Sequence, residues 1–178
     1  MRLSHLAFAF AILPAVAFSA GSDDPEPPKP TETTTVCDDG LVWDLATKSC
    51  LSPADSTNDD NARLNDVREL AYAGYYQAAL DVLDTLDNPA ASLALTYYGF
   101  AHRKAGEIDL GMAYYDAALV ADPDNLLARS YMGQGFVASG DMVQAQVQLT
   151  EIRMRGGRGT WPELALVQAI ASGVGTTY

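Results

Sequence analysis

The chain has 178 residues, of which 48% are hydrophobic and 19% are charged. This composition is sufficient for one globular core, and it excludes a collagen, a coiled coil and a cysteine-rich scaffold, since only two cysteines are present. The formal net charge is −12. An acidic excess of this size argues against a nucleic-acid or anionic-membrane binder, because both of those partners are themselves negatively charged.

The first twenty residues are typical of a secretory signal peptide. Arg2 supplies a basic start, residues 6–13 form an unbroken apolar run, and Pro14 ends that run before several small residues. Cleavage after Ala17 and cleavage after Ala20 both fit the pattern. The apolar run is shorter than the roughly 20 residues that span a bilayer. We therefore expect a periplasmic or secreted protein that does not insert into the membrane once the signal is removed.

Residues 21–36 are rich in proline, threonine and acidic side chains and contain no other apolar residue before Val36. Such a segment cannot bury enough apolar surface to offset the entropy that it loses on ordering, so we expect a disordered linker. Residues 51–60 form a second polar linker. From residue 21 to residue 60 the chain holds ten acidic residues and two lysines, which places much of the negative charge ahead of the remaining 118 residues.

The only two cysteines, Cys37 and Cys50, enclose twelve residues. Because a secreted chain meets an oxidising environment, we expect them to form a disulfide that closes a mini-hairpin over residues 37–50. The sequence of this segment, CDDGLVWDLATKSC, resembles part of the peritrophin-type chitin-binding module, although that module uses six cysteines. The resemblance implies an element that binds a chitin-like polymer or peptidoglycan, with Trp43 stacking on a sugar ring. A purely structural staple is the alternative interpretation.

From residue 61 onward, apolar residues recur at steps of three and four, which predicts a set of short amphipathic helices and an all-α fold. Gly99 and Gly106 are followed 34 residues later by Gly133 and Gly140. Residues 92–125 resemble the tetratricopeptide repeat, and the resemblance is carried by Leu95, Tyr98, Gly99, His102, Gly106, Gly111, Tyr115, Ala118 and Pro123. It implies a short α-solenoid of helix-turn-helix repeats over residues 61–178. The repeats would span about 60–91, 92–125 and 126–159, followed by a capping helix at 160–172.

In tetratricopeptide arrays the concave face is formed by the first helix of each repeat. The resemblance implies that the matching positions in this chain, which include Arg68, Phe100, Arg103 and Gln134, line a groove, and that Tyr72, Tyr97 and Tyr131 lie beside them on the same face. A groove with aromatic rings and two arginines suits a peptide or protein segment that carries an acidic residue or a carboxylate. Packing between repeats is the alternative for each tyrosine. Use of the same groove by a second copy, as a homo-oligomer, is a further interpretation.

The residue inventory does not favour an enzyme. His102 is the only histidine beyond the predicted signal peptide, at a position that the repeat fills with a core side chain, and both cysteines are assigned to a disulfide. A cysteine–histidine nucleophile or a metal cluster cannot be assembled from this set, so we expect no catalytic residue, metal or cofactor. The sequence therefore predicts a non-catalytic adaptor of the cell envelope that binds another protein.

Overall fold

The computed structural model describes residues 28–175, so the predicted signal peptide and residues 21–27 of the predicted linker lie outside the described residues. The described part contains eight helices and a two-stranded sheet. In chain order they are α1 (Glu32–Thr35), β1 (Val42–Asp44), β2 (Ser49–Leu51), α2 (Asp60–Ala73), α3 (Tyr76–Leu83), α4 (Ser92–Lys104), α5 (Ile108–Ala121), α6 (Leu126–Ser139), α7 (Met142–Met154) and α8 (Trp161–Ser172). The prediction of a mainly helical chain with a small disulfide-closed hairpin is confirmed.

Local chemistry sets the ends of the longer helices. The side chain of Asp59 accepts a hydrogen bond from a backbone N–H at the start of α2, and Asn125 does the same at the start of α6. Gly74 and Gly140 end these two helices with φ values of 91° and 81°. Glycine adopts this left-handed conformation without a steric penalty, so both helices stop where the sequence provides that residue.

Helices α2 to α8 pack as three pairs and a final helix. Helix α2 contacts α3, α4 contacts α5, and α6 contacts α7, while the leading helices α2, α4, α6 and α8 also contact one another in succession. One main core runs from the hairpin through α6, and its most deeply buried side chains include Val67, Leu83, Tyr97, Phe100 and Tyr131. Two smaller apolar groups lie among α6, α7 and α8.

Two glycines allow α4 and α5 to approach closely. A Cβ atom at Gly99 would lie 2.5 Å from Cε1 of Tyr115, and one at Gly111 would lie 2.7 Å from the carbonyl oxygen of Gly99. At Gly133 on α6, the nearest atoms would instead be the two methyl groups of Leu166 on α8. Because packed interiors leave no space for an added methyl group, α4 and α5 hold their present separation only while both positions remain glycine.

The hairpin packs on the helices. Strands β1 and β2 pair antiparallel, with Val42 opposite Leu51 and Trp43 opposite Cys50, and the predicted disulfide joins Cys37 to Cys50. The side chain of Val42 is buried and belongs to the main core. Since β1 contributes to that core, the hairpin and the first helices form one packed unit.

The end of the segment predicted to be a disordered linker is ordered on α2. The hydroxyl group of Thr31 donates a 2.7 Å hydrogen bond to Oε2 of Glu69, and that of Thr33 donates one of 2.7 Å to Oδ1 of Asp66. Thr33 is buried and lies in α1. Residues 31–36 therefore differ from the expected disorder, because threonine hydroxyl groups and backbone N–H groups pair with two carboxylates of α2.

Candidate functional site

Aromatic residues predicted to line a groove form a column that joins three leading helices. Tyr72 on α2 stacks on Phe100 of α4 with ring centroids 5.6 Å apart, and Phe100 packs against Tyr131 of α6 at 4.7 Å. The hydroxyl groups of Tyr72 and Tyr131 are hydrogen-bonded to each other at 2.7 Å. The structure thus brings these three residues together, and their contacts fix α2, α4 and α6 relative to one another.

Most of the predicted groove residues are buried. Five of them expose 7% or less of their surface, namely Tyr97, Phe100, Arg103, Tyr131 and Gln134. Only Arg68 and Tyr72 of the predicted set are half-buried. The five buried side chains therefore pack between helices, which is the alternative that the sequence left open for the tyrosines. An accessible binding surface on the leading helices has to be built from other side chains.

Arg103 is held inside the protein by aromatic partners. Its Nε donates a 3.2 Å hydrogen bond to the hydroxyl group of Tyr115, and its guanidinium carbon lies 5.9 Å from the ring centroid of Phe100. The Nζ of Lys104 lies at the same distance from that ring. Burial, and then the neighbouring charge of Arg103, lower the pKa of Lys104. Both cations stabilise the packing around Phe100 through cation–π attraction, a role that the sequence did not indicate for Lys104.

Trp43 lies on the outer face of the hairpin. Side chains alternate along a strand, and the two neighbours of Trp43, Val42 and Asp44, are both buried. Trp43 itself is half-buried and is paired in register with Cys50. Its backbone N–H donates a 3.1 Å hydrogen bond to the hydroxyl oxygen of Thr33. The indole is therefore on the side of the hairpin opposite the core, next to the disulfide.

Asp44 ties the hairpin to the predicted second linker. Its Oδ1 accepts hydrogen bonds from the N–H and hydroxyl groups of Thr47 at 2.7 and 2.8 Å, and its Oδ2 accepts from the same groups of Thr57 at 2.6 and 2.8 Å. These hydrogen bonds, led by the N–H groups of Thr47 and Thr57, hold the pKa of the buried carboxyl far below its usual range. Residues 51–60 are thus anchored, with Ser56 and Asn58 buried. The sequence alone gave no signal for this role, because Asp44 is one of many acidic residues there.

Replacing Asp44 by asparagine should remove an acid-sensitive contribution to stability. Because the folded pKa lies below the unfolded value of about 3.9, the carboxylate stabilises the fold fully above about pH 4 and loses this effect as the pH falls toward the folded pKa. Asparagine offers one acceptor oxygen instead of two. The variant should unfold at lower urea concentration at pH 7, and its midpoint should fall less than that of the wild type between pH 7 and pH 3.

Urea unfolding followed by circular dichroism at both pH values measures this difference. Asp116→Asn, at an exposed position on α5, is the matched control and should keep the wild-type pH dependence. Asp66, whose pKa is raised chiefly by burial, responds to acid in the opposite direction in all three proteins and cancels in the comparison. An identical pH dependence in the wild type and in Asp44→Asn would contradict the assignment.

Between residues 28 and 175, histidine, cysteine, aspartate and glutamate side chains form no group of three or more that could hold a metal ion. In the same range, none of the helices combines the length and the apolar character needed to cross a membrane. The disulfide between Cys37 and Cys50 is consistent with an oxidising compartment outside the cytoplasm.

No protein-family model, curated protein or solved structure matches this chain. The resemblances to the tetratricopeptide repeat and to the chitin-binding module therefore rest on the residues quoted above. The repeat architecture and the binding partner both remain predictions.

Proposed function

We propose that this chain is a non-catalytic adaptor of the cell envelope, built as a short solenoid of tetratricopeptide-like helix pairs, that binds a segment of another protein. The observation that carries the proposal is one backbone arrangement repeated 34 residues apart. The N–H of Glu107 donates to the carbonyl of His102 at 2.9 Å, and the N–H of Asp141 donates to that of Phe136 at 2.8 Å. In each case a glycine with positive φ lies directly before the donor. Equivalent turns at this spacing support equivalent helix pairs.

Contacts between successive pairs also recur at this spacing. Thr96 and Ser130, 34 residues apart, both use their hydroxyl groups to bind the start of the next leading helix. The Oγ1 of Thr96 accepts from Nδ2 of Asn125 at 3.0 Å, and the hydroxyl group of Ser130 donates to the carbonyl of Pro162 at 2.7 Å. Stacking of units through a repeated interface is the property that gives solenoids their extended binding surfaces, which supports a role in protein binding.

The accessible part of the leading-helix surface has a definite chemical character. Arg68 and Tyr72 on α2 and Lys104 on α4 are half-buried cationic and aromatic side chains of the leading helices. Arginine and tyrosine are enriched where protein interfaces gain most of their affinity. In this proposal they contact the partner, whereas Phe100 and Arg103 act only by fixing the helices beneath them.

Photo-crosslinking from the leading-helix surface tests the proposal. Arg68 is replaced by a benzophenone amino acid in the full chain, and the chain is irradiated in the compartment to which it is exported. It should give one discrete adduct, whose partner is identified by mass spectrometry. The same group in place of Asp116 on α5 is the matched control and should not give that adduct. An adduct of twice the chain mass would instead assign the surface to self-association. Equal adducts from both positions, or failure of the purified partner to bind the purified chain, would contradict the proposal.

A second candidate function is carbohydrate binding through the hairpin, favoured by the position of Trp43 on its outer face. Sedimentation of the chain with insoluble chitin or peptidoglycan should then be lost in Trp43→Ala. Leu45→Ala serves as the control, since Leu45 is exposed on the same hairpin. Binding that survives in Trp43→Ala would exclude the indole as the stacking residue.

A further inference from the structure

A pocket of about 560 Å³ lies where the hairpin meets two turns between paired helices. We call it the turn pocket. Its walls come from the turn before β1 at Asp39 and Gly40, from residues 74–78, 80 and 81 at the junction of α2 and α3, and from Ala105 and Glu107 between α4 and α5. A volume of this size is within the range of sites that bind small molecules, and it is large enough to admit a long side chain. Trp43 is not among the described residues that line it.

The lining of the turn pocket is acidic and aromatic. Asp39, Asp81 and Glu107 supply three carboxylates, and Tyr75 and Tyr76 supply two phenol rings. Tyr75 is 41% exposed, so part of its ring is open to a ligand. Within the part of the chain that the structure describes, the lining contains no lysine, arginine or histidine. A cation in this pocket would therefore meet opposite charge and aromatic rings at the same time.

Hydrogen-bonded turns fix the walls of the turn pocket. The N–H of Leu41 donates to the carbonyl of Asp38 at 3.0 Å in the turn before β1, which lies within the loop that the disulfide closes. The N–H of Tyr75 donates to the carbonyl of Leu70 at 2.9 Å and so closes the turn after α2. The turn before α5 is closed in the same way through Glu107. Groups that are already held in place lose little conformational entropy when a ligand binds.

The negative charge of the lining favours a cationic ligand over a neutral one. Asp81 accepts a 2.9 Å hydrogen bond from the neutral amide of Gln77. Oε2 of Glu107 lies 2.6 Å from Nδ1 of His102, a residue that does not line the pocket. The hydroxyl groups of a neutral sugar can donate hydrogen bonds to these carboxylates but carry no charge, whereas a guanidinium or ammonium group donates hydrogen bonds and also neutralises the carboxylates. The net charge of −12 also attracts basic segments at longer range.

We propose that the turn pocket binds a lysine or arginine side chain of the partner. The inference rests on the proposed function only in taking a protein segment as the partner. The turn pocket lies apart from the leading-helix surface, so the two can fail separately. If the partner still crosslinks at position 68 when the pocket is altered, only the proposal for the turn pocket is excluded. If a peptide binds in the pocket but no such crosslink forms, only the proposal for the leading-helix surface is excluded.

Fluorescence anisotropy tests the proposal with a labelled glycine–serine nonapeptide that contains two central arginines. The full chain should bind this peptide at least tenfold more tightly than the same peptide with citrulline, the neutral isostere of arginine. The double variant Asp39→Asn with Asp81→Asn should lose at least tenfold in affinity, and Tyr75→Ala should lose at least threefold. Circular dichroism should show that these variants, which alter exposed side chains, remain folded.

The matched control is the double variant Asp87→Asn with Asp116→Asn, which removes the same charge from exposed positions outside the lining. It should bind within twofold of the wild type. An equal loss in the control would assign the binding to diffuse charge and overturn the proposal. Equal affinity for the citrulline peptide, or no binding of the arginine peptide at 1 mM, would also overturn it.

Discussion

Replacing Phe100 by alanine should lower the free energy of unfolding by about 3–5 kcal/mol, the range measured for truncation of a buried aromatic residue. Phe100 is completely buried and packs between Tyr72 of α2 and Tyr131 of α6. Removal of its ring leaves a cavity where three leading helices share a contact. Urea denaturation followed by circular dichroism measures the loss.

Val120→Ala is the control for this experiment. Val120 lies on α5 with 84% of its surface exposed, so its truncation should change the free energy of unfolding by no more than about 0.5 kcal/mol. A loss below about 1 kcal/mol in Phe100→Ala, combined with loss of the crosslinked partner, would return Phe100 to the binding role that the tetratricopeptide pattern implied. Fold stability and partner capture therefore separate the two assignments of this residue.

The helices and the hairpin were predictable because their signals are local. Glycine at positions 74 and 140 ends a helix through its own backbone conformation, and the apolar steps of three and four describe one helix face at a time. A single pair of cysteines in a chain with a predicted signal peptide leaves one intramolecular pairing. None of these inferences requires knowledge of what lies across the fold, and the mainly helical class and the disulfide are confirmed.

The burial of the predicted groove residues was not predictable from the same signals. It depends on how closely α2 and α6 approach on either side of α4, and the hydroxyl groups that meet there belong to residues 59 positions apart, Tyr72 and Tyr131. The repeat pattern assigns a residue to the concave face, but it does not give the depth of that face. For this reason Arg103, although arginine is a residue type common in binding sites, occupies the environment of a core residue.

The order of residues 31–36 was missed for a different physical reason. Low apolar content predicts disorder because it assumes that folding must be driven by apolar burial. Here the ordering contacts are polar, from Thr31 and Thr33 to Glu69 and Asp66, and Asp44 anchors residues 51–60 in the same way. Hydroxyl–carboxylate pairing across more than thirty residues has no periodicity in the sequence. The turn pocket depends on this ordering, since it exists only where the hairpin is held against the helices.

Replacing Gly111 by alanine should destabilise the chain more than the same change at Gly133. At Gly111 the new Cβ would lie 2.7 Å from the carbonyl oxygen of Gly99 and 2.8 Å from the backbone nitrogen of Arg103. Backbone atoms cannot move without separating α4 from α5, so we expect a loss of about 3 kcal/mol, at the upper end of overpacking costs. At Gly133 the nearest contacts are the terminal methyl groups of Leu166, which can rotate away.

The higher helix propensity of alanine offsets part of the strain at both positions, by about 0.5–1 kcal/mol, so Gly133→Ala should lose no more than about 1 kcal/mol. Paired urea denaturation curves give the difference between the two variants, and equal losses would mean that α5 is free to move outward.

An outward movement of α5 would also affect the turn pocket. Glu107 directly precedes α5 and lines the turn pocket. If α5 shifts in Gly111→Ala, the affinity for the arginine peptide should fall together with stability, whereas Gly133→Ala should leave that affinity unchanged.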